Sequence, residues 1–433
     1  MARRYQPTDA HAIVNLVAKE LTGQNSTIQK VTSSNFVSVG ETIMAQPMEN
    51  VYNALSIPLL RTLIAARTYD EDLLLINALD SGVYSSRMRK ISYLSKNAKP
   101  SGSFNTDLFT NLYMGFTAGQ NKDENGDPQS TKSQWEQNPV VPVELHFGGS
   151  SVWDHGITWY KNQAKNAFTD EASFLRFWEG ALVENANDIK MEKSAFRRVA
   201  LLNFIAGMYD LKASGCTVVN LTAAYNTKFG TSYTSAQLRT TYLKEFLAFF
   251  VSEFKKYSKA LKKRSMNYHI NISKTINGET FNLLRHTPYN RQRVILYEPL
   301  FIESEALVLP EIFRPEYLDL EKQYEGLLWW QNENDPSAID VVPAIPDFAN
   351  TGAQVAGDRV QLPYVVGLIY DEDALMTDFQ LDDVNTTSLE ARKRFRNTWY
   401  AMARNLINDF TEKAVLFTME DPAGAGRTST QKK

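Results

Sequence analysis

The 433-residue sequence contains a single cysteine, Cys216, and no long apolar run. One cysteine cannot form an intrachain disulfide, which fits a reducing compartment such as the cytoplasm. The longest apolar windows, such as Leu73–Ile76 and Phe246–Val251, are far shorter than the ~20 residues that a membrane-spanning helix needs. No apolar stretch that could serve as a signal peptide follows Arg3 and Arg4. We therefore expect neither export nor membrane insertion.

Motifs for catalysis and for metal binding are lacking as well. The five histidines occur singly, with no second histidine or cysteine at ligand spacing, so local sequence offers no zinc site. Gly148 and Gly149 lack the spacing and the lysine of a phosphate-binding loop. Asp371 and Asp373 resemble a carboxylate pair for magnesium, but the neighbouring acidic residues favour a solvated acidic turn. We expect no enzymatic activity, no cofactor and no metal ion.

The sequence also lacks a large excess of positive or negative charge, because the formal net charge is only −3. No global field therefore attracts nucleic acid or an anionic membrane. The basic run that ends the predicted helix Ser235–Lys263 is interpreted as a solvated helix end, where positive charge complements the helix dipole. The pairs Trp329/Trp330 and Trp153/Trp159 can stack on sugars, although packing or interface anchoring is favoured.

The N-terminal third predicts short helices and an extended ribbon. Amphipathic spacing predicts a helix at Asp9–Leu21, and prolines at helix starts predict two more at Pro47–Leu55 and Ile57–Ala66. Arg87–Leu94 and Val140–Phe147 predict two strands that return beside each other. An isolated two-stranded ribbon is only marginally stable in water, so we expect this one to lie on a neighbouring subunit.

A long helix dominates the middle of the chain. Apolar positions recur at helical steps over Thr169–Leu211, with Thr169 as a suitable N-cap and acidic residues in the first turn. At 1.5 Å per residue this helix would span roughly 60 Å. A break near Asn185–Asn187 would instead divide it into two abutting helices.

The C-terminal half predicts strands separated by polar segments. Strands are predicted at Val294–Tyr297, Ala306–Leu309 and Tyr364–Tyr370. A Pro-rich surface loop is predicted at Asn332–Asp358, and a polar, turn-like segment at Asp371–Glu390. Periodicity does not distinguish helix from strand over Arg392–Phe410.

The closing block has a distinctive order. It consists of VVGLIYDEDALM at Val365–Met376, RFRNTWYAMA at Arg394–Ala403 and EKAVLFTM at Glu412–Met419. With the preceding elements, this order resembles the major capsid proteins of tailed bacteriophages, whose Hong Kong 97-type fold is shared by encapsulins. The resemblance covers Asp9–Met419 and is nearest to the short-tailed phages of the Bacillus phi-29 kind and their gut relatives.

The resemblance implies an α+β fold with an N-terminal arm, an extended loop, a peripheral domain built on a long spine helix, and an axial domain. Val365–Tyr370 and Arg392–Phe417 would form the peripheral sheet, and Asp371–Glu390 the loop that meets neighbouring capsomers. The implied boundaries are 1–45 for the N-terminal arm, 46–84 for the first part of the peripheral domain, 85–149 for the extended loop ribbon, 150–213 for the peripheral domain with its spine helix, 214–360 for the axial domain with a possible insertion, 361–420 for the peripheral sheet and loop, and 421–433 for a disordered tail.

The implied function is that of a non-enzymatic major capsid protein, which self-assembles into an icosahedral shell around the double-stranded DNA of a tailed phage. Its partners would be copies of itself in pentamers and hexamers, a scaffolding protein, a portal protein, and DNA through non-specific contacts, with no membrane. Its location would be the virion, assembled in the host cytoplasm. Because no large leading scaffolding segment is present, we expect a separate scaffolding protein or a processed segment.

Charged side chains on the ribbon are predicted to meet carboxylates of a neighbouring subunit. The candidate interface residues are Arg87, Arg89, Lys90, Asp378, Asp382, Asp383 and Arg392. Two alternatives remain open. An encapsulin-like compartment would have the same fold around cargo enzymes, and a surface glycan-binding protein would use Trp329 and Trp330.

Overall fold

The structure is a computed structural model. It describes residues 30–32, 34–45, 72–79, 88–96, 140–147, 151–160, 171–276, 279–302, 323–348, 353–390 and 392–421, together with His11, Val14, Asn15 and Ala18. For residues 44–45, 78–79, 96, 151, 171–182 and 379–383 the description is of the backbone. Within these ranges the chain is α+β, as predicted.

Helices and strands follow one another along the described chain, with most of the strands in its C-terminal half. The helices are α1 (Phe36–Ala45), α2 (Glu171–Asp210), α3 (Leu221–Phe229), α4 (Ser235–Arg239) and α5 (Leu243–Leu261). The strands are β1 (Asn77–Leu79), β2 (Met88–Lys96), β3 (Val141–Phe147), β4 (Ser151–Tyr160), β5 (Thr217–Asn220), β6 (Ser273–Ile276), β7 (Glu279–Asn282), β8 (Gln292–Tyr297), β9 (Tyr324–Leu327), β10 (Ile339–Val341), β11 (Ala344–Pro346), β12 (Gln354–Ala356), β13 (Val360–Leu362), β14 (Val365–Asp371), β15 (Leu375–Thr386), β16 (Phe395–Asn408) and β17 (Ala414–Thr418).

Two sheets organise the described chain. The first, which we call the long-strand sheet, has the order β1-β15-β16-β4. Its β15 and β16 form a long antiparallel pair, with a register shift between Gln380 and Asp382. The second, which we call the central sheet, has the order β5-β17-β14-β8-β9. Every residue of β14 and β17 is buried, which explains why their sequences are almost continuously apolar.

The main apolar core surrounds the central sheet. Leu368 and Leu416 of the sheet belong to one cluster with Phe204 of α2 and with Phe250 and Phe254 of α5. The apolar stripe of α5 falls at helical spacing, so one face of this helix is buried against the sheet. This core fixes the position of the turn that leads into β17.

Helix α2 runs unbroken for 40 residues, so the prediction of one long helix is confirmed and the break near Asn185–Asn187 is absent. Its C-terminal part, including Leu201 and Phe204, enters the main core. Its middle part contacts the long-strand sheet through polar groups: Arg404 Nη1 donates to Glu192 Oε1 over 2.8 Å. The helix therefore contacts both sheets, through apolar side chains near its C-terminal end and through polar groups such as Glu192 in its middle part.

Two predictions for the C-terminal half are wrong. Asp371–Glu390 is not a turn-like loop, because most of it forms β15 and pairs with β16 along its length. Its polar residues misled the prediction, since Thr377 and Asp378 are buried in this sheet rather than solvated. The predicted single peripheral sheet is also divided, because β14 and β17 lie in the central sheet whereas β16 lies in the long-strand sheet.

The predicted loop at Asn332–Asp358 is corrected in part, since nine of its residues lie in the strands β10, β11 and β12. Strands β10 and β13, then β11 and β12, pair antiparallel in a hairpin. This hairpin packs on α2, where the Asn203 side chain donates to the Ala344 carbonyl and accepts from the Ala344 N–H. This Pro-rich segment has no core of its own and packs instead on α2. The sequence alone does not show that α2 is its neighbour.

Other predictions are refined by the structure. The strands of the ribbon are confirmed as β2 and β3, and those at Val294–Tyr297 and Tyr364–Tyr370 as β8 and β14. Arg392–Phe410 contains the strand β16. The helix predicted at Ser235–Lys263 is divided into α4 and α5, and a capping box formed by Thr234 and Gln237 begins it.

Several predicted elements lie outside the described residues. They are the helices at Pro47–Leu55 and Ile57–Ala66, the strand at Ala306–Leu309, the cap at Thr169, and the tail from 422 to 433. Of the predicted helix Asp9–Leu21, the described residues are helical, with Val14 and Ala18 buried. The domain boundaries stay predictions. Among the described helices, none is both long and apolar enough to span a bilayer.

Candidate inter-subunit surface

The ribbon, β2 with β3, has two chemically different faces. The strands pair antiparallel from Met88 opposite Phe147 to Leu94 opposite Val141. Because strand side chains alternate, Lys90, Ser92 and Leu94 point to the body of the chain. The outward face carries Arg89, Ile91 and Tyr93, and the Tyr93 side chain is 60% exposed. A large aromatic ring is therefore presented on a narrow ribbon.

The inner face of the ribbon packs on its own chain at one end. Leu94 and Val141 form a small buried cluster with Phe281 and Leu283. Ser95 also pairs with Asn282 of β7, which places the ribbon in a four-stranded sheet of order β3-β2-β7-β6. This end of the ribbon is thus fixed to the subunit by both apolar contacts and backbone pairing.

A cluster of buried charges holds the ribbon next to this point. Lys90 Nζ donates to Asp409 Oδ2 and to Glu412 Oε1, each over 2.6 Å. Arg285 Nη2 lies 3.1 Å from Glu412 Oε1 and donates to Ser92 Oγ over 2.8 Å. We call these five residues, Lys90, Ser92, Arg285, Asp409 and Glu412, the ribbon junction.

The electrostatics of the ribbon junction follow from its burial. The side chains of Asp409 and Glu412 are only 1% and 8% exposed. Burial opposes the charge of Lys90, but the two adjacent carboxylates outweigh it and raise the pKa of Lys90. Burial raises the pKa of Glu412, against the pull of Lys90 and Arg285. We conclude that Lys90 is charged at neutral pH and that its carboxylate partners depend on it for compensation.

Of the seven predicted interface residues, Arg87 is outside the described residues, and the other six lie on β2, on β15 and in the turn before β16. Arg89 is on the outward face of the ribbon, 3.7 Å from Glu144. Lys90 instead faces inward and binds its own chain. Asp378, Asp382 and Asp383 are on β15, where Asp378 is buried and the backbone of the other two follows the register shift. Arg392 is exposed beyond β15. Their roles at an interface stay predictions.

The residues that sequence reasoning missed are the partners of Lys90. Asp409 and Glu412 flank a short turn beside an apolar strand, a position where acidic residues are usually solvated. Lys90 is 319 residues from Asp409 along the chain, so no local pattern connects them. The available signal was the alternation of β2, which places adjacent residues on opposite faces.

A second exposed apolar surface lies on the long-strand sheet. Trp399 lies against Gly156 on the neighbouring strand, where an added Cβ would come within 2.7 Å of Trp399 Cζ3. Val152 and Tyr160 are exposed on the same strand as Gly156, and the rings of Tyr160 and Phe395 are 5.9 Å apart. An aromatic surface therefore extends over two adjacent strands.

The tryptophan pair that a glycan-binding protein would use is not available as a platform. Trp330 is fully buried, and its Nε1 donates to the Val365 carbonyl over 2.9 Å. The ring of Trp329 is covered by the Arg198 guanidinium, 5.0 Å from the ring centre. Trp159 of the other pair is buried too. Packing, the favoured interpretation, accounts for Trp330 and Trp159.

The acidic turn at Asp371–Asp373 is compensated by arginines rather than by solvent. Arg291 binds Asp371 and Asp373, and Arg293 Nη2 donates to Glu372 Oε2 over 2.5 Å. The two guanidinium groups supply the positive charge that these carboxylates would otherwise take from a metal ion. The predicted solvated turn is therefore corrected to an ion-paired one.

Cys216 is a free, buried thiol. Burial raises the pKa of Cys216 to about 12, so the thiolate is scarce at neutral pH. This residue therefore adds no reactive group to the surfaces described above.

No protein-family model matches the chain, and no curated protein matches it. Among solved structures, the chain is similar to one from the capsid of Staphylococcus phage Andhra, with 10% identity, a TM-score of 0.48, and coverage of 82% of this chain and 88% of the other. It is also similar to a structure of the head fibre and inner core protein of bacteriophage P68, with 13% identity, a TM-score of 0.45, and coverage of 82% and 88%. A third is the mature capsid of bacteriophage PhiM1, with 9% identity, a TM-score of 0.38, and coverage of 82% and 89%. With TM-scores below 0.5, these similarities do not by themselves assign a function.

Proposed function

We propose that this chain is a major capsid protein, a non-enzymatic subunit that self-assembles into the icosahedral shell around the double-stranded DNA of a tailed bacteriophage. The observation that carries the proposal is the ribbon, whose inner face is bound to its own subunit while its outer face presents Ile91 and Tyr93 to solvent. The order of the closing block, which resembles that of phage capsid proteins, supports it.

The ribbon exposes apolar side chains that a neighbouring copy would bury. Val140, at the start of β3, is 75% exposed, and Tyr93 on β2 is nearly as accessible. Burial of such surface contributes about 25 cal/mol per Å². A second apolar surface around Trp399 lies on a different element, so contacts between unlike surfaces of successive copies are available. Heterologous contacts of this kind close into rings, as a shell requires.

The two sheets support a finer assignment, which is part of the proposal. The long-strand sheet with α2 would form the peripheral domain, and the ribbon would be the extended loop. The central sheet with α3–α5 would form the axial domain, which then includes β14 and β17 as well as most of 214–360. The short-tailed phages of the Bacillus phi-29 kind and their gut relatives stay the proposed nearest relatives.

The proposed partners are copies of the chain in pentamers and hexamers, a scaffolding protein and a portal protein. The net charge of −3 suits a shell whose DNA must remain movable, because a strongly basic wall would hold phosphates through salt-dependent contacts. The proposed location is the virion, after assembly in the host cytoplasm.

Electron microscopy of the purified chain, expressed alone and with a candidate scaffolding protein, tests this function. We expect closed shells or capsomer-sized rings. A monodisperse monomer in both preparations would contradict the proposal. Particles from the native source should contain double-stranded DNA, whereas particles filled with an enzyme would favour the encapsulin-like alternative.

A pair of variants tests the role of the ribbon in assembly. Tyr93→Ser removes an exposed ring and should abolish shells, whereas Tyr93→Phe keeps the ring and should assemble like the wild type. Because Tyr93 faces outward, both variants should keep the melting temperature of the unassembled chain. Normal shells from Tyr93→Ser would show that the outer face of the ribbon is not an essential contact.

A further inference from the structure

The turn from Asp409 to Lys413 connects the two sheets. It leaves β16 of the long-strand sheet and enters β17 of the central sheet. Its backbone is held on both sides: the Asp409 N–H donates to the Ala374 carbonyl, and the Ile270 N–H donates to the Phe410 carbonyl. The relative placement of the sheets is therefore linked to the geometry of this turn.

The ribbon junction attaches the ribbon to this same turn. Asp409 uses one oxygen for Lys90 and the other for the Thr411 N–H and hydroxyl, at 2.8 and 2.6 Å. Arg285 donates to the Thr411 carbonyl over 3.3 Å as well as to Ser92 on the ribbon. Asp409 and Arg285 thus each bind both the turn and the ribbon.

We infer that the ribbon junction is a mechanical lock, which makes the ribbon and the turn between the sheets move as one unit. Within one subunit, the direction of the ribbon is then set before any neighbour is met, and a change in the angle between the sheets moves the ribbon with it. In the shell, and therefore resting on the proposed function, the lock would couple subunit shape to the contact that the ribbon makes.

The ribbon and the turn stay together because separating them would cost free energy. Removing Lys90 from the junction leaves Asp409 and Glu412 buried side by side with less compensation, and uncompensated buried charge is strongly destabilising. Detached states of the ribbon are therefore rare. The apolar contacts of Leu94 and Val141 and the pairing of Ser95 with Asn282 act at one end of the ribbon only.

Hydrogen exchange of the unassembled full-length chain, read by mass spectrometry, tests the lock. Lys90→Gln should accelerate amide exchange at least about tenfold in residues 88–96, 141–147 and 409–413. The matched control is Arg89→Gln, which changes the adjacent cation on the opposite face and should exchange like the wild type. Equal exchange in the two variants would overturn the inference.

A milder variant covers the case in which Lys90→Gln does not fold. Ser92→Ala removes only the bond from Arg285, so it should accelerate exchange in the same three segments by a smaller factor. Acceleration confined to the ribbon, with 409–413 unchanged, would overturn the claim that the two move together.

Assembly gives a separate result. Under the proposed function, Lys90→Gln should produce particles of mixed diameter, whereas Arg89→Gln particles that form should be uniform. Uniform Lys90→Gln shells would refute the coupling to particle shape. If the wild-type chain forms no shells, the proposed function fails while the exchange experiment still decides the lock, because that experiment uses the unassembled chain.

Discussion

Replacing Lys413 with methionine should change how the stability of this chain depends on pH. Lys413 is fully buried, and its Nζ donates to the Lys263 carbonyl over 2.7 Å and to Ser265 Oγ over 2.9 Å. Both acceptors are uncharged, so they only partly replace the water that the ammonium group loses. Burial lowers the pKa of Lys413 from its ordinary value of 10.5 to about 8.

The sign of the effect follows from proton binding. Between pH 8 and pH 10.5 the unfolded chain keeps the Lys413 proton whereas the folded chain loses it, so the free energy of unfolding rises with pH. Integrated from pH 7 to pH 10, the rise is about 2.5 kcal/mol. The nearby His269 does not obscure it, because burial, with Lys413 and Arg285 adding, lowers the pKa of His269 and keeps the ring neutral over this range.

Urea unfolding of the unassembled chain at pH 7 and pH 10 measures this contribution. The Lys413→Met variant lacks it, so the free-energy difference between variant and wild type should move by about 2.5 kcal/mol in favour of the wild type as the pH rises. Comparing two pH values removes the cost of the lost hydrogen bonds, which is common to both. Lys263→Met, which changes an exposed lysine nearby, should follow the wild type. An unchanged difference at the two pH values would refute the reasoning.

Two further predictions concern packing. Gly156→Ala would place a Cβ 2.7 Å from Trp399 Cζ3, so the ring must tilt away; we expect a loss of about 1–3 kcal/mol and a red-shifted tryptophan emission. Gly156→Ala in a Trp399→Leu background should lose less, and an equal loss would contradict this contact. Trp330→Phe removes the donor to the buried Val365 carbonyl and should cost about 1–3 kcal/mol in urea unfolding. A loss within error would show that water replaces the donor.

Local patterns predicted the elements whose environment is uniform along the chain. Strand β14 is buried throughout and reads as an apolar run, and α2 carries a long helical repeat without a breaking residue. Strand β15 escaped prediction because several of its side chains, such as Thr377 and Asp378, are polar but buried. Its composition is therefore that of a turn, although its backbone pairs with β16 on both sides of the register shift.

The candidate site was only half predictable. Arg89 and Lys90 were both assigned to a neighbouring subunit, yet adjacent residues of a strand point to opposite faces. Alternation alone therefore implied that one of the two faces inward, and Lys90 does. Its partners were beyond local reasoning, because Asp409 and Glu412 come near it only through the packing of the ribbon on the closing turn.

The turn Asp409–Lys413 buries charged side chains, which costs free energy. This cost favours the one arrangement of the chain in which each of these charges is bound. Asp409, Glu412 and Lys413 are buried within five residues, where apolar side chains would usually be more stabilising. Lys90 of the ribbon binds both carboxylates, Arg285 binds Glu412, and the segment after α5 binds Lys413. Displacing any of these parts would leave a buried charge without its partner, so misplaced arrangements are penalised more strongly than the native one is stabilised. Under the proposed function, a subunit that repeats the same contacts many times in a shell would benefit from this selectivity more than from additional stability.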